Sequence, residues 1–153
     1  MANTYTQIHL QFVFAPRFRA SLIHPDWENE LYKYITGIVQ NNKHKMLCIN
    51  GTPDHIHMLI GFHTDQTIAS FMQDVKAHSS KWINDRKLCR SRFEWQTGYG
   101  AFSYSKSQMH DVINYIQKQK EHHHNECFID EYKLFLHKFD INYDKLFIFK
   151  EPE

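Results

Sequence analysis

The chain has 153 residues, with 18 Lys/Arg against 17 Asp/Glu and a formal net charge of +1. That length suits one domain with a core of its own and is too short for a barrel enzyme of the eight-stranded type; no apolar run approaches the roughly 20 residues of a membrane span, and the first residues do not form a basic-then-apolar leader. Cys48, Cys89 and Cys127 are an odd, widely spaced set, which argues against a disulfide framework and for a reducing cytoplasm.

Residues 5–14 alternate: Ile8, Leu10, Phe12 and Phe14 share one face, Gln7, His9 and Gln11 the other, the pattern of a half-buried strand. Pro25 and Asp26 open a helix in which Trp27, Leu31, Ile35 and Ile38 recur at helical spacing. Residues 46–50 are a second predicted strand. Asn50-Gly51-Thr52-Pro53-Asp54 is a turn, and His55 to Phe62 a third strand, the hairpin partner of the second. Thr67 caps a helix running to about Arg86, with Ile68, Phe71, Met72, Val75, Trp82 and Ile83 as its stripe. Glu94 to Tyr104 reads as a fourth strand interrupted by Gly98 and Gly100. Ser105 or Ser107 then caps a third long helix through about His123. Residues 128–138 form a short helix and 145–149 an apolar extended tail. The order β-α-β-β-α-β, then α, predicts an α+β fold: a ferredoxin-like (RRM-like) antiparallel sheet with helices on one face and an added C-terminal helix bearing Tyr115, all in one domain over 1–153.

Charge is unevenly spread. From Lys76 to Lys120 nine Lys/Arg stand against three acids, and from Glu126 onward seven acids stand against four lysines. A basic middle with an acidic tail suits a face that binds a polyanion, with chance clustering on a solvated surface as the alternative. Lys81, Arg86, Lys87, Arg90 and Arg92 are the candidate contacts, joined by Arg17, Arg19 and Lys106.

Two constellations carry chemistry. In a strand, His55 and His57 point to the same face, opposite Ile56, Met58, Ile60 and Phe62, so they stand on the face that the first two helices leave open. Two imidazoles on a rigid strand suit a divalent metal; they also suit a solvated sheet face. On the third helix, Tyr115 and Gln119 are one turn apart, at the flank of the stripe made by Met109, Val112, Ile113 and Ile116. A boundary tyrosine with a wet hydroxyl is the plain alternative. His122, seven residues after Tyr115, shares its face and can line a site there. The run His122-His123-His124 also fits a helix C-terminus, where the dipole favours such residues. Other motifs fail: Leu59 stands where a histidine-triad hydrolase needs a third His, Leu59-Ile60 where a metallo-β-lactamase needs Asp-His, and no Lys-Ser/Thr follows Gly98-Tyr99-Gly100 to make a phosphate loop.

Taken together, Asn50-Gly-Thr-Pro-Asp-His-Ile-His-Met-Leu-Ile60, Trp95-Gln-Thr-Gly-Tyr-Gly-Ala-Phe-Ser-Tyr-Ser105 and Tyr115-Ile-Gln-Lys-Gln119 resemble the motifs of the single-tyrosine HUH transposases of the insertion-sequence 200/605 family, relatives of the REP-associated tyrosine transposases. The resemblance runs from Tyr5 to about Phe149. It implies a homodimer acting on single-stranded DNA with hairpin ends, without a nucleotide cofactor. It implies that His55, His57 and Gln119 bind Mg²⁺ or Mn²⁺ and that Tyr115 is the nucleophile. It leaves open whether the tyrosine helix completes its own chain's site or the partner's. Lys118 stands where an Asn is common in the family. Two rivals share this topology. One is an RNA-binding module, because Gly98-Tyr-Gly-Ala-Phe-Ser-Tyr104 is similar to the RNP1 strand of RNA-recognition domains. The other is a replication-initiator nuclease with the same catalytic set.

Overall fold

Alternating apolar side chains in the first segment produce β1 (His9–Phe14), which begins four residues later than the sequence suggests. The computed structural model describes residues 3–123, 126–146 and 148–153. α1 (Pro25–Asn41) starts with Pro25 in its first turn, and the His24 ring accepts a hydrogen bond from Asp26 N in the capping position. β2 (Lys45–Thr52) and β3 (His55–Gly61) form the predicted hairpin. α2 (Ile68–Asp85) is capped by Thr67, whose hydroxyl accepts from Ser70 N. β4 (Gly100–Tyr104) completes a sheet in the order β2-β3-β1-β4, with every neighbouring pair antiparallel. This is the ferredoxin-like arrangement. Among the described residues, no helix is long and apolar enough to cross a membrane.

The register sorts the sheet into two faces. Phe12, Phe14, Ile56, Met58 and Ile60 are fully buried with Leu31, Ile35, Phe71 and Val75 of α1 and α2. At roughly 1.5–3 kcal/mol per fully buried side chain of this size, this face is the main source of stability. The other face carries Gln11, Val13, His57, Leu59 and Phe102, paired as Val13↔His57, Gln11↔Leu59 and Gln11↔Phe102.

The C-terminal third folds over that second face. A 3-10 turn at Lys106–Gln108, held by a capping box between Ser105 and Gln108, leads into α3 (Met109–Gln117). Val112 and Ile116 of α3 pack on Leu59, with Leu47 and Cys48 beside them. α5 (Phe128–Lys138) lays Phe135 and Phe139 against Phe102, with ring centroids 5.3 and 5.0 Å apart.

Two predicted elements differ. The expected fourth strand is a strand only from Gly100; before it, Trp95 makes a single bridge to Pro16. Gly98 adopts φ +91°, which ends the extended run, and Lys76 Nζ donates to the Gln96 and Gly98 carbonyls. The expected long third helix breaks at Lys118 and resumes as α4 (Gln119–His122). Asn50 Nδ2 donates to the carbonyls of Ile116 and Gln117, each at 3.0 Å, which a continuous helix would give to the amides of residues 120 and 121. Lys120 Nζ reaches back to Asn50 Oδ1 (2.9 Å), Gly51 O (3.1 Å) and Glu28 Oε1 (3.1 Å), so the break is latched to the end of β2 and to α1. Of the predicted 145–149 tail, Phe147 lies outside the described residues; Phe149 is buried against Phe128 and Tyr132.

Candidate active site

The β2–β3 turn sets the first ligand. A Cβ on Gly51 would lie 2.2 Å from the His55 carbonyl oxygen, so only glycine lets the hairpin close this tightly. Asp54 Oδ1 accepts from Thr52 Oγ1 and His55 Nδ1–H, both at 2.7 Å. That bond leaves His55 Nε2 as a lone pair aimed inward. Burial would raise the Asp54 carboxyl, but the His55 and Thr52 hydrogen bonds hold it below its ordinary value. His57 Nδ1 lies 2.8 Å from the Gln11 amide, whose oxygen accepts from the Tyr104 hydroxyl at 2.8 Å. Turning the amide by 180° exchanges its nitrogen and oxygen, so Gln11 can accept from Nδ1–H and free Nε2.

The expectation that this face is open is corrected: His55 and His57 are both 0 % exposed. Phe128 of α5 stacks on the His55 ring at 4.2 Å and 10°, and Phe135 lies 5.8 Å from the His57 ring. Desolvation lowers the His57 pKa to about 4, which keeps its imidazole neutral.

Between the two rings stands Glu131 of α5, 2 % exposed, which the sequence reading did not single out. Its Oε1 is 3.2 Å from His57 Nε2, 3.5 Å from His55 Nε2 and 2.9 Å from His123 Nε2. Its Oε2 accepts from Gln119 Nε2 at 3.1 Å and from the Tyr115 hydroxyl. Burial alone would raise Glu131, but hydrogen bonds from His123 and His57 hold its carboxyl far below the usual range. Desolvation would lower His123, yet Glu131 lifts it above its ordinary value. Burial, reinforced by the Glu131 charge, raises Tyr115, so the phenol is not ionised near neutral pH.

The donor set fits a divalent cation. His55 Nε2, His57 Nε2 and a Glu131 oxygen can lie within 4.8 Å of one another. With Nδ1 of His55 committed to Asp54, its Nε2 lone pair faces Gln119 Oε1 at 2.9 Å. A cation seated there would meet an imidazole nitrogen, an amide oxygen and a carboxylate together. Asp54→Ala is expected to leave the fold intact and to weaken divalent-metal binding about 10- to 100-fold, since His55 loses the group that fixes its tautomer; isothermal titration with Mn²⁺ measures this.

Tyr115 is half-buried, its ring 6.0 Å from His57 and 5.1 Å from His122. It belongs to the same chain as both histidines, so one chain brings the whole set together. It opens onto a cavity of about 440 Å³ between α3, α5 and β4. His122 lines that cavity and pairs with Glu126 at 2.8 Å; His124 lies outside the described residues.

The structure divides the candidate basic contacts. Arg17 and Arg92 both pair with Glu94, and Ser21 Oγ donates to Arg92 O, so 17–21 and 90–94 lie side by side with Arg19 and Arg90. Lys81 pairs with Asp85, and Arg86 sits over Trp82 and pairs with Glu30, at the far end of α2 from Thr67, followed by Lys87. Lys106 follows Tyr104, which pairs with His9, and so stands at the opposite end of the sheet from Arg17. The RNA-module alternative needs a bare sheet face, but Phe102 is 3 % exposed beneath Phe135 and Phe139.

A His-x-His strand beside a helix-borne tyrosine, on a ferredoxin-like sheet, defines the class of the single-tyrosine transposases. Residues 4–119 match the family described as "Transposase IS200 like"; the chain belongs to that family and is a transposase. Two solved structures share the fold. A Deinococcus radiodurans protein assigned as a transposase superposes with a TM-score of 0.62 at 16% identity, over 78% of this chain and 95% of that one. A REP-associated tyrosine transposase bound to a REP hairpin superposes with a TM-score of 0.61 at 14% identity, over 80% of this chain and 73% of that one. No curated protein matches the sequence. α5, with Glu131, lies beyond the matched region.

Proposed function

We propose that this transposase cuts and rejoins single-stranded DNA at the ends of an insertion sequence, through a 5′-phosphotyrosine on Tyr115. The observation that carries this reading is the meeting of the Tyr115 hydroxyl with His55, His57 and Gln119 on the carboxylate of Glu131. His55, His57, Gln119 and Glu131 would hold Mg²⁺ or Mn²⁺, which when bound neutralises charge on the scissile phosphate. Because burial keeps Tyr115 protonated, its proton must leave as its oxygen attacks phosphorus. Glu131 Oε2 already accepts that hydrogen bond and orients the hydroxyl for attack. The bond from phosphorus to the 3′ oxygen breaks, the proton lost by the tyrosine ends on that oxygen, and a free 3′-OH leaves. The phosphotyrosine retains the phosphodiester's energy, so a second 3′-OH can reverse the step without ATP.

The direct test is a single-stranded hairpin substrate labelled just 3′ of the cut. The label should migrate with the polypeptide on a denaturing gel, and EDTA should abolish the adduct. Cleavage with no protein-linked DNA would make water the nucleophile and end this reading.

The catalytic domain spans 1–153 and acts in the cytoplasm. Two ends must be exchanged, so the working unit is a homodimer in which each chain carries its own complete site. Light scattering that finds only an 18.5 kDa species, with and without DNA, would contradict this. Arg17, Arg19, Arg90 and Arg92 at one end, with Lys81, Arg86, Lys87, Lys106 and His122 as further contacts, serve the DNA backbone. Hairpin binding should therefore weaken steeply with salt, and Arg90→Ala with Arg92→Ala should reduce the slope of log K against log salt by roughly two; fluorescence anisotropy between 50 and 200 mM salt measures both.

A further inference from the structure

The cavity beside Tyr115 has a makeup that phosphate transfer alone does not explain. Val112, Leu134 and Phe135 give it apolar walls, and Tyr104 closes one side. Gln108 and Asp111 stand on its rim, at the start of α3. The acids Asp111, Glu126 and Glu131 line it against the single lysine Lys138, with His122 paired to Glu126, so the lining holds no cluster of cations to bind a phosphate. It suits a flat, neutral group with a hydrogen-bonding edge. A phosphate poised at the Tyr115 oxygen has a nucleoside on either side. The metal-ready side is sealed by α4 and α5, leaving this cavity as the space next to the reacting oxygen.

We infer that the cavity is a nucleobase subsite, which takes the base of a nucleotide flanking the scissile phosphate and reads its edge through Asp111 and Gln108. The inference rests on the transposase reading above and adds a source of sequence choice to it. Gln108 Oε1 accepts from Ser105 N at 2.9 Å, which leaves the Gln108 amide nitrogen as a donor. No side-chain hydrogen bond or ion pair holds Asp111 among the described residues, and its carboxylate is an acceptor only. A donor beside an acceptor complements an exocyclic amino group next to a ring nitrogen, the edge of cytosine or adenine. Phe135 and Leu134 supply the apolar surface against which an unstacked base rests. Leu134 is 61 % exposed, on the solvent side of α5 and at the edge of the cavity, where it is free to meet a ligand. Leu134, Phe135 and Glu131 all come from α5, beyond the segment that matches the family.

The experiment uses the full chain and hairpin-bearing oligonucleotides that differ only at the two nucleotides flanking the cut, which carry A, C, G, T or an abasic sugar. Covalent adduct is quantified on denaturing gels. At one position, cytosine or adenine should react at least about tenfold faster than thymine or the abasic sugar. Asp111→Asn should cut that ratio to about threefold or less, because the acceptor-only group becomes an amide that also donates. Leu134→Trp, at an exposed position that the fold tolerates, should fill the cavity: adduct formation falls on base-bearing substrates and is relieved by the abasic sugar. The same base ranking in the wild type, Asp111→Asn and Leu134→Trp at both positions would overturn the subsite while leaving the transposase reading intact. No adduct on any oligonucleotide would remove both.

Discussion

Tyr115→Phe is expected to abolish protein-linked DNA while leaving the fold, metal binding and hairpin binding in place. The phenyl ring keeps its contacts with His57, His122 and Phe135, whose centroids lie 6.0, 5.1 and 5.7 Å away. What is lost is one hydroxyl and its bond to Glu131, about 1 kcal/mol of stability. Glu131 keeps His123, His57 and Gln119 as hydrogen-bond partners, so no buried charge is stranded. The chemical loss should nevertheless be complete. Tyr104 is the other tyrosine on this cavity, and its hydroxyl is tied to Gln11, with burial raising its pKa to about 12. Labelled hairpin substrate and thermal melts of the same preparation measure both halves of this expectation. An adduct formed by Tyr115→Phe would give the nucleophile's role to another residue.

Glu131→Gln should have the next largest effect. The amide keeps the shape but replaces the carboxylate that His55, His57, His123, Gln119 and Tyr115 share. Adduct formation should fall at least about 100-fold, since both the hard anionic ligand and the charged acceptor that orients the Tyr115 hydroxyl are gone. Mn²⁺ affinity should fall with it. Stability of the metal-free protein should drop by about 1–3 kcal/mol, and the drop should depend on pH. Glu131 is held below its ordinary value of 4.5, so its contribution is present above that pH and lost as pH falls through the folded value. His123 is held above its ordinary value of 6.5, so its contribution is full below that pH and fades as pH rises through the folded value. The cost of Glu131→Gln should therefore be greatest between about pH 4.5 and 6.5. Unfolding curves of both proteins from pH 4 to 9 would show this; a cost that does not vary with pH would mean that His123 and Glu131 are not an ion pair.

The core elements were legible because their periodicity is strict. β1 and β3 alternate, α1 and α2 carry clean stripes, and Pro25 and Thr67 mark helix starts that the structure bears out. Spacing put His55 with His57 and Tyr115 with Gln119 on shared faces, and the family resemblance singled them out as a site; the structure brings all four within reach of one carboxylate. Less legible was what long-range contacts decide. The break at Lys118 depends on Asn50, 68 positions earlier, taking two carbonyls of α3. The sealing of the histidine face depends on where α5 docks. One local sign of Glu131 existed: it is a carboxylate on the same flank as Phe128 and Phe135, three residues after one and four before the other, where a surface acid has no reason to be. Gln11 could be assigned to the histidine face, but its contact with His57 requires the cross-strand register.

Glu131 also comes late in the chain. Ribosomes release the sheet, both histidines and the tyrosine helix before residues 128–138 emerge. Phe128 and Phe135, which cover the histidine rings, come from that same late segment, as does the acid that gathers the histidines around the tyrosine. On the proposed function, the carboxylate that joins the histidines to the tyrosine arrives only with the docking of α5, and a chain that ended before Phe128 would carry His55, His57 and Tyr115 without it.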